Sequence, residues 1–364
     1  MKFYIYLFSL LAIVSSCKEE TEDTPILANN YGSGYYFATD NGVSYLDSSL
    51  TSFVPKNQIF REVNGRSISN VNRIKFQGTK AYIATENSFY SVNIETFGLK
   101  GEATGFKNLV DFDFVALGRI FAVDKEDSKV KVIDVDRMEI ISDIETGDST
   151  SPVFILGSWY RSIVLNGGTE PDSLKDSTII AIDCRDELEP IADFMGSLFI
   201  GENPNSAVNI NSMNILCKGI YDPNDLTTKT SATLVKVDPW DLDIEGSTNL
   251  NGIYNAQNLV SNDDDTKYYF TAENGIYQMN TNGSSVTLID PIVSDILYFL
   301  DEEYFVFTTD TTPPNVLNRN VLFVNDTQND PSIVYKYNLD LNAFTDTLIF
   351  DGNVRDVNFY QWNI

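Results

Sequence analysis

The chain has 364 residues, with 25 lysines and arginines against 52 aspartates and glutamates, no histidine, and a formal net charge of −27. Such a charge repels phosphate backbones and argues against nucleic-acid binding. Without histidine the chain lacks the usual general base near neutral pH and the commonest neutral metal ligand, so histidine triads, histidine-bearing zinc sites and histidine-ligated haem are excluded, while carboxylate chemistry and calcium ligation stay open.

Met1-Lys2 opens the chain, Phe3 to Val14 is almost unbroken apolar sequence, and Ser15-Ser16-Cys17 leads into Lys18-Glu19-Glu20. A charged start, an apolar run of about a dozen residues and a small-residue exit are what a secretory signal requires. The run is too short for a membrane-crossing helix, which needs roughly 20 apolar residues. V-S-S-C resembles the lipobox of bacterial lipoproteins, in which the signal is cut before the cysteine and the cysteine carries lipid. That resemblance implies a signal peptide over 1–16, Cys17 as the lipid attachment site, an acidic lipidated leader over 17–30 and a folded domain over 31–364. The K-E-E-T-E-D stretch is similar to the export signal of Bacteroidota lipoproteins, which implies an outer-membrane lipoprotein exposed at the cell surface. An ordinary signal with a chance cysteine is the bland alternative.

Beyond the leader, short alternating runs rich in Val, Ile, Tyr and Phe are separated by Asn-Gly, Asp-Gly and Pro-containing turns, a strand-and-hairpin grammar. The clearest unit runs from Leu109 to Gly147 as VDFDFVAL, RIFAVD, KVKVIDV and MEIISDIET. Units of the same kind start near 71, 152, 203, 256 and 293, the last read as DILYFL, YFVFTT, SIVYKYN and DTLIFDG. Repeated four-stranded meanders are the signature of a β-propeller, because one meander alone leaves an apolar face exposed and stacking buries it. GYYFAT, GVSYLD and TSFVP match only a second, third and fourth strand, and VRDVNFY near the C-terminus supplies the missing first. The expectation is an all-β, seven-bladed β-propeller of four-stranded antiparallel blades, closed into a ring by the C-terminal strand. A two-domain β-sandwich would share the strand content but would not explain the stranded end pieces. The long 293–352 unit leaves room for six or eight blades.

Val132-Ile133-Asp134-Val135 closes a third strand and recurs as Ala181-Ile182-Asp183 and Val235-Lys236-Val237-Asp238. With the paired runs AYIATENSFYSVNIETF and RIFAVDKEDSKVKVIDVDRM, this pattern resembles YncE-like β-propellers and their surface-lipoprotein relatives in Bacteroidota. The resemblance implies binding or scaffolding, and work beside outer-membrane transport proteins. The Trp-dense repeat of quinoprotein dehydrogenases is absent, since the only tryptophans are Trp159, Trp240 and Trp362.

Three insertions, 166–176, 219–230 and 308–331, each read as the hairpin between the second and third strands of a unit, which would gather them on one face. Loops on a rigid scaffold are where binding residues concentrate. Tyr221, Val316, Leu317 and Phe323 are the apolar or amphipathic candidates for partner binding, with Asn315 as a polar contact and Arg319 as a charged anchor. Asp-rich loops at 262–265, 222–225 and 325–330 invite a calcium reading, but none has the spacing of a helix-loop-helix site, and solvated turns fit them better. No other cofactor is expected. Cys184 and Cys217 sit in apolar strand-like runs, which favours two buried thiols over a disulfide. The function expected is a non-enzymatic, outer-membrane-anchored binding or scaffold lipoprotein acting with an outer-membrane transport or assembly complex. The alternative is binding of an extracellular glycan or small ligand, or carboxylate-based hydrolysis, in the central depression.

Overall fold

Middle strands such as RIFAVD are buried along almost their whole length, whereas the strand at the outer edge of the same unit, EIISDIE, is mostly exposed. Burial on both faces means each sheet is sandwiched between two others, and that is how the sheets pack. A computed structural model describes residues 31–47, 54–147, 150–168, 176–185, 192–300 and 320–361. The signal, Cys17 and the leader lie outside the described residues.

The chain opens with β1 (Gly34–Thr39) and β2 (Gly42–Asp47), then a short helix α1 (Ile59–Asn64). Blade 2 is β3 (Val71–Gln77), β4 (Lys80–Thr85), β5 (Ser88–Asn93) and β6 (Leu99–Thr104). Blade 3 is β7 (Leu109–Val115), β8 (Arg119–Asp124), β9 (Lys129–Asp134) and β10 (Glu139–Glu145). Blade 4 is β11 (Pro152–Ser158), β12 (Arg161–Asn166), β13 (Thr178–Asp183) and β14 (Asp193–Phe199). Blade 5 is β15 (Pro204–Ile210), β16 (Ser212–Cys217), β17 (Thr233–Asp238) and β18 (Asp243–Asn249). Blade 6 is β19 (Gln257–Ser261), β20 (Lys267–Ala272), β21 (Gly275–Asn280) and β22 (Thr287–Asp290). Blade 7 is β23 (Leu297–Leu300), β24 (Val321–Asp326), β25 (Asp330–Asn338) and β26 (Ala343–Ile349). The last strand, β27 (Val354–Tyr360), returns to pair antiparallel with β1, giving the order β2-β1-β27 in blade 1.

The fold is therefore the seven-bladed propeller closed by the C-terminal strand. Among the described residues the apolar core divides into seven clusters, one for each junction between neighbouring blades. β1 feeds two of them: Tyr36 and Ala38 pack toward Ile74 and Ile83 of blade 2, while Tyr35 and Phe37 pack toward Val321 and Phe323 of blade 7.

Two details depart from the sequence reading. The fourth strand expected of blade 1 is reduced, among the described residues, to a single antiparallel bridge between Tyr45 and Lys56. Beyond it α1 buries Ile59 and Phe60 against the same junction, a helix too short to announce itself by periodicity. In blade 7 the second strand is VLFVND rather than YFVFTT, which lies outside the described residues. Two apolar runs competed for one strand position, and the later one occupies it.

Candidate functional site

Blades 2 to 7 run inner strand, second, third, outer, and blade 1 runs β27, β1, β2 in the same sense. One face of the disc, the upper, therefore carries the starts of the inner strands and the turns joining second to third strands. The lower face carries the turns joining first to second and third to outer strands.

A cavity of about 230 Å³ lies on the axis and takes lining residues from all seven inner strands or the residue just before one. The inner strands of blades 2 to 5 share a register shift at their start, as between Val71 and Arg73 or Leu109 and Asp111. Such bulges re-aim side chains, and here the residues that follow them, Arg73, Asp111, Phe154 and Ser206, line the cavity.

The polar side chains at the axis are largely engaged. An inner strand is a sheet edge, and its backbone groups need partners where they meet the next blade. Asp356 of β27 accepts from the Ile74 amide of β3 at 3.1 Å, Asp111 of β7 from Ile155 of β11 at 3.1 Å, and Ser206 of β15 from Leu259 of β19 at 3.0 Å. Asp113 does the same for Gly157 at 2.6 Å. Asparagines act in the opposite sense: Asn358 donates to the Ile74 carbonyl, Asn72 to Leu109 and Asn205 to Ala256. The axis is polar because it fastens blade to blade.

Charge balances at the same level. Asp111, fully buried, lies 3.1 Å from Lys75 Nζ and 3.5 Å from Arg73 Nε, and Arg73 Nη1 is 3.8 Å from Asp356. Burial pushes Lys75 and Arg73 down, but the carboxylates around them outweigh it and hold both above their ordinary values. Burial raises Asp356 despite the Arg73 guanidinium beside it, and pushes the Tyr298 hydroxyl up to about 12. Asp295 is different: the residue is exposed, the walls around it still hold its carboxyl above the ordinary value, and that carboxylate has no hydrogen bond or ion pair among the described residues. It lines both the axial cavity and a second one of about 300 Å³ near the upper opening, which Asp40 and Arg355 share.

The hairpins at 166–176 and 219–230 do join second to third strands, β12 to β13 and β16 to β17, and so share the upper face. The third insertion does not join them there. The chain between Leu300 and Val321 connects β23 to β24, a first to a second strand, and therefore leaves and re-enters at the lower face. This overturns the grouping of all three loops on one face. Phe323 is corrected with it. It lies within β24, 1% exposed, with its ring centroid 5.1 Å from that of Tyr35 and 6.1 Å from that of Phe37, so it fills the core of the junction between blades 7 and 1 instead of meeting a partner. Asn315, Val316, Leu317 and Arg319 lie outside the described residues.

Tyr221 stands half-buried on the 219–230 loop, and burial raises its hydroxyl beside Glu273. The loop is folded back on itself and on blade 6. The Ile220 amide donates to Thr230 Oγ1 at 2.8 Å, Thr230 donates to Glu202 at 2.6 Å, and Lys229 Nζ sits 3.9 Å from the Tyr254 ring centroid. In the Asp-rich loops the carboxylates serve their own turns: Asp264 accepts from Thr266, Asp222 from Asn224, Asp326 from Asn329 and Asp330 from Ser332. Among the described residues no group of three or more Cys, Asp or Glu converges as a metal site. Cys184 and Cys217 are free and buried, in different junctions between blades.

One cluster escaped the sequence reading. Arg161, nearly buried, donates to the Pro239 and Trp240 carbonyls at 3.1 and 2.8 Å and to Asp183 at 3.0 Å, tying blade 4 to a lower-face turn of blade 5. The Arg161 and Arg185 guanidinium groups lie 5.1 and 5.0 Å from the centroid of the Trp240 ring. The sequence signal was there: two of the three tryptophans sit in turns.

No known family model matches the chain, and no curated protein matches it. Solved structures do. A putative 6-phosphogluconolactonase from Bacteroides fragilis is 10% identical, with 91% of this chain and 98% of that one covered and a TM-score of 0.64. A quinonprotein alcohol dehydrogenase-like protein from Bacteroides thetaiotaomicron is 12% identical over 91% and 79%, with a TM-score of 0.62. A second putative 6-phosphogluconolactonase, from Bacteroides uniformis, is 10% identical over 90% and 99%, also at 0.62. At such identities the likeness concerns the backbone alone, and what it shows is that this chain is a seven-bladed β-propeller related in fold to bacterial propellers, those of Bacteroides among them.

Proposed function

We propose that this protein is a binding scaffold rather than an enzyme, held at the outer membrane by lipid on Cys17 and working with an outer-membrane transport or assembly complex. The observation that supports this most is the use made of the axial carboxylates. Asp111, Asp113 and Asp356 accept backbone N–H groups of the neighbouring blade, and Asp111 also balances Arg73 and Lys75. A carboxylate whose oxygens are taken up by a neighbouring blade's amide and by two cations has little left to offer a substrate. The rigid disc then offers its loops, and the 219–230 hairpin with Tyr221 and the exposed Leu226 is the best-formed candidate contact on the upper face.

The test is recovery from gently solubilised membranes. Stoichiometric capture of an outer-membrane protein, lost when residues 222–228 are cut to a short turn, supports the reading. Recovery of this protein alone, with either loop, sinks it. A second reading rests on Asp295, whose carboxylate is unengaged among the described residues and faces the axial cavity. A small polar or cationic ligand would suit that position, and Asp295→Asn would then abolish binding of such a ligand without lowering thermal stability.

A further inference from the structure

We infer that the lower face of the disc is the face turned toward the lipid bilayer, with Trp159, Trp240 and Leu341 entering the headgroup region; this rests on the lipidation of Cys17 proposed above. The first argument is where the chain enters the propeller. Tyr31 and Gly32 hydrogen-bond to the carbonyls of Glu95 and Ile94, in the lower-face turn between β5 and β6, and β1 then climbs from the lower face to the upper. The leader therefore meets the disc on its lower side. Residues 17–30 span at most about 50 Å fully extended. A seven-residue strand is about 23 Å tall, so presenting the upper face to the bilayer would use about half of that reach merely in passing the rim.

The second argument is independent of the leader. Among the large apolar side chains exposed in hairpin turns of the described residues, Trp159 (73%), Leu341 (66%) and Trp240 (44%) lie on the lower face and only Leu226 on the upper. Trp159 occupies its turn at φ 61°, a left-handed conformation that a bulky side chain adopts only at a cost, and it holds the indole outward. On the outer strands exposed apolar residues fall at both ends, Phe194, Met195 and Ile244 at the lower and Phe199 and Ile349 at the upper, so the asymmetry lies in the turns. Arg185, exposed next to Trp240, adds a guanidinium. Indoles flanked by arginine suit the membrane–water boundary, where one end of the ring is apolar and the other wet. The body's strong negative charge opposes an anionic lipid surface, so the occupant that fits is a zwitterionic phospholipid surface met at short range.

The experiment couples the chain from Cys17 onward to a maleimide phospholipid in phosphatidylcholine vesicles that carry nitroxide-labelled headgroups. Cys184 and Cys217 are buried and leave Cys17 as the thiol to react. With Trp362→Phe, the emission comes from Trp159 and Trp240 alone. A control chain with Cys17→Ser and Leu226→Cys is coupled through the upper face. Quenching in the Cys17-coupled chain but not in the control is expected, with its Trp159 part removed by Trp159→Gly, which the turn's φ accommodates. No quenching in the Cys17-coupled chain, or equal quenching in both, overturns the inference and leaves the lower face for a protein partner or a second copy. The vesicle coupling is chemical, so it does not depend on lipidation in the cell. Persistence of Cys17→Ala in the membrane fraction would sink the anchor alone.

Discussion

Stopping the chain after Phe350 removes β27, and the structure gives the size of the loss. Val354 and Val357 are buried in the junction between blades 7 and 1, and each contributes about 1.5–3 kcal/mol. Among the side-chain bonds that go are Asp356 to the Ile74 amide, Asn358 to the Ile74 carbonyl, Asn325 to the Val354 carbonyl and Tyr360 to the Gly78 carbonyl, beside exposed bonds of Arg355 and Asp351 left out of the sum. At about 0.5–1.5 kcal/mol each, these bring the total to about 5–12 kcal/mol, before the ladder with β1 and the newly bared faces of Tyr35 and Phe37 are counted. A domain has about 5–15 kcal/mol of stability in all. The truncated chain should therefore lose its cooperative melt, and β1, now a bare edge, should make it aggregate. Near-ultraviolet circular dichroism through a thermal ramp reads the first, and light scattering the second. Adding a peptide of residues 351–364 should restore part of the transition. A truncated chain that melts cooperatively at the wild-type temperature would show that the ring does not depend on this strand, and the closure argument would be wrong.

Three further outcomes follow from the same packing. Phe323→Ala should cost about 3–5 kcal/mol in urea unfolding, whereas Tyr221→Ala should stay within about 0.5 kcal/mol; the reverse order would return Phe323 to the surface. Asp111→Asn takes from Lys75 its nearest counter-charge and leaves Arg73 only Asp356 at 3.8 Å; it should cost about 2–4 kcal/mol, below the figure for a wholly buried pair because the two cations keep 29% and 23% exposure. Asp356→Asn, which can still accept from Ile74 and relieves a carboxylate that burial disfavours, should cost clearly less, and equal costs would refute that assignment of roles. Burial holds the Tyr36 hydroxyl far above the ordinary tyrosine value, so the folded chain keeps a proton that the unfolded chain releases. Stability should then be full below about pH 10 and fall as pH rises above it, and Tyr36→Phe should flatten that fall in melts taken between pH 9 and 11 (roughly the window those values set); an unchanged slope would place the titration elsewhere.

How much was legible depends on what each residue does for the blade. Blades 2 and 3 could be read directly, because alternating apolar residues and short polar turns leave few other solutions. Closure could be read because a first strand was missing at one end and present at the other. Blade 7 misled, since both YFVFTT and VLFVND satisfy the pattern of a second strand and only three-dimensional pairing with SIVYKYN chooses between them. That one misplacement put Phe323 on a loop and the third insertion on the wrong face. The axis was opaque for a deeper reason. Asp111, Ser206 and Asp356 occupy strand positions that look like a solvated face, yet they satisfy backbone groups of a strand about 40 to 280 residues away in sequence (the separations are 44, 53 and 282). A fastener and a ligand-binding group are the same residue type at the same position, and only the partner tells them apart. By that criterion Asp111, Asp113 and Asp356 belong to the scaffold. Asp295, exposed two residues before β23 and without such a partner among the described residues, is where a ligand-binding role at the axis would have to begin.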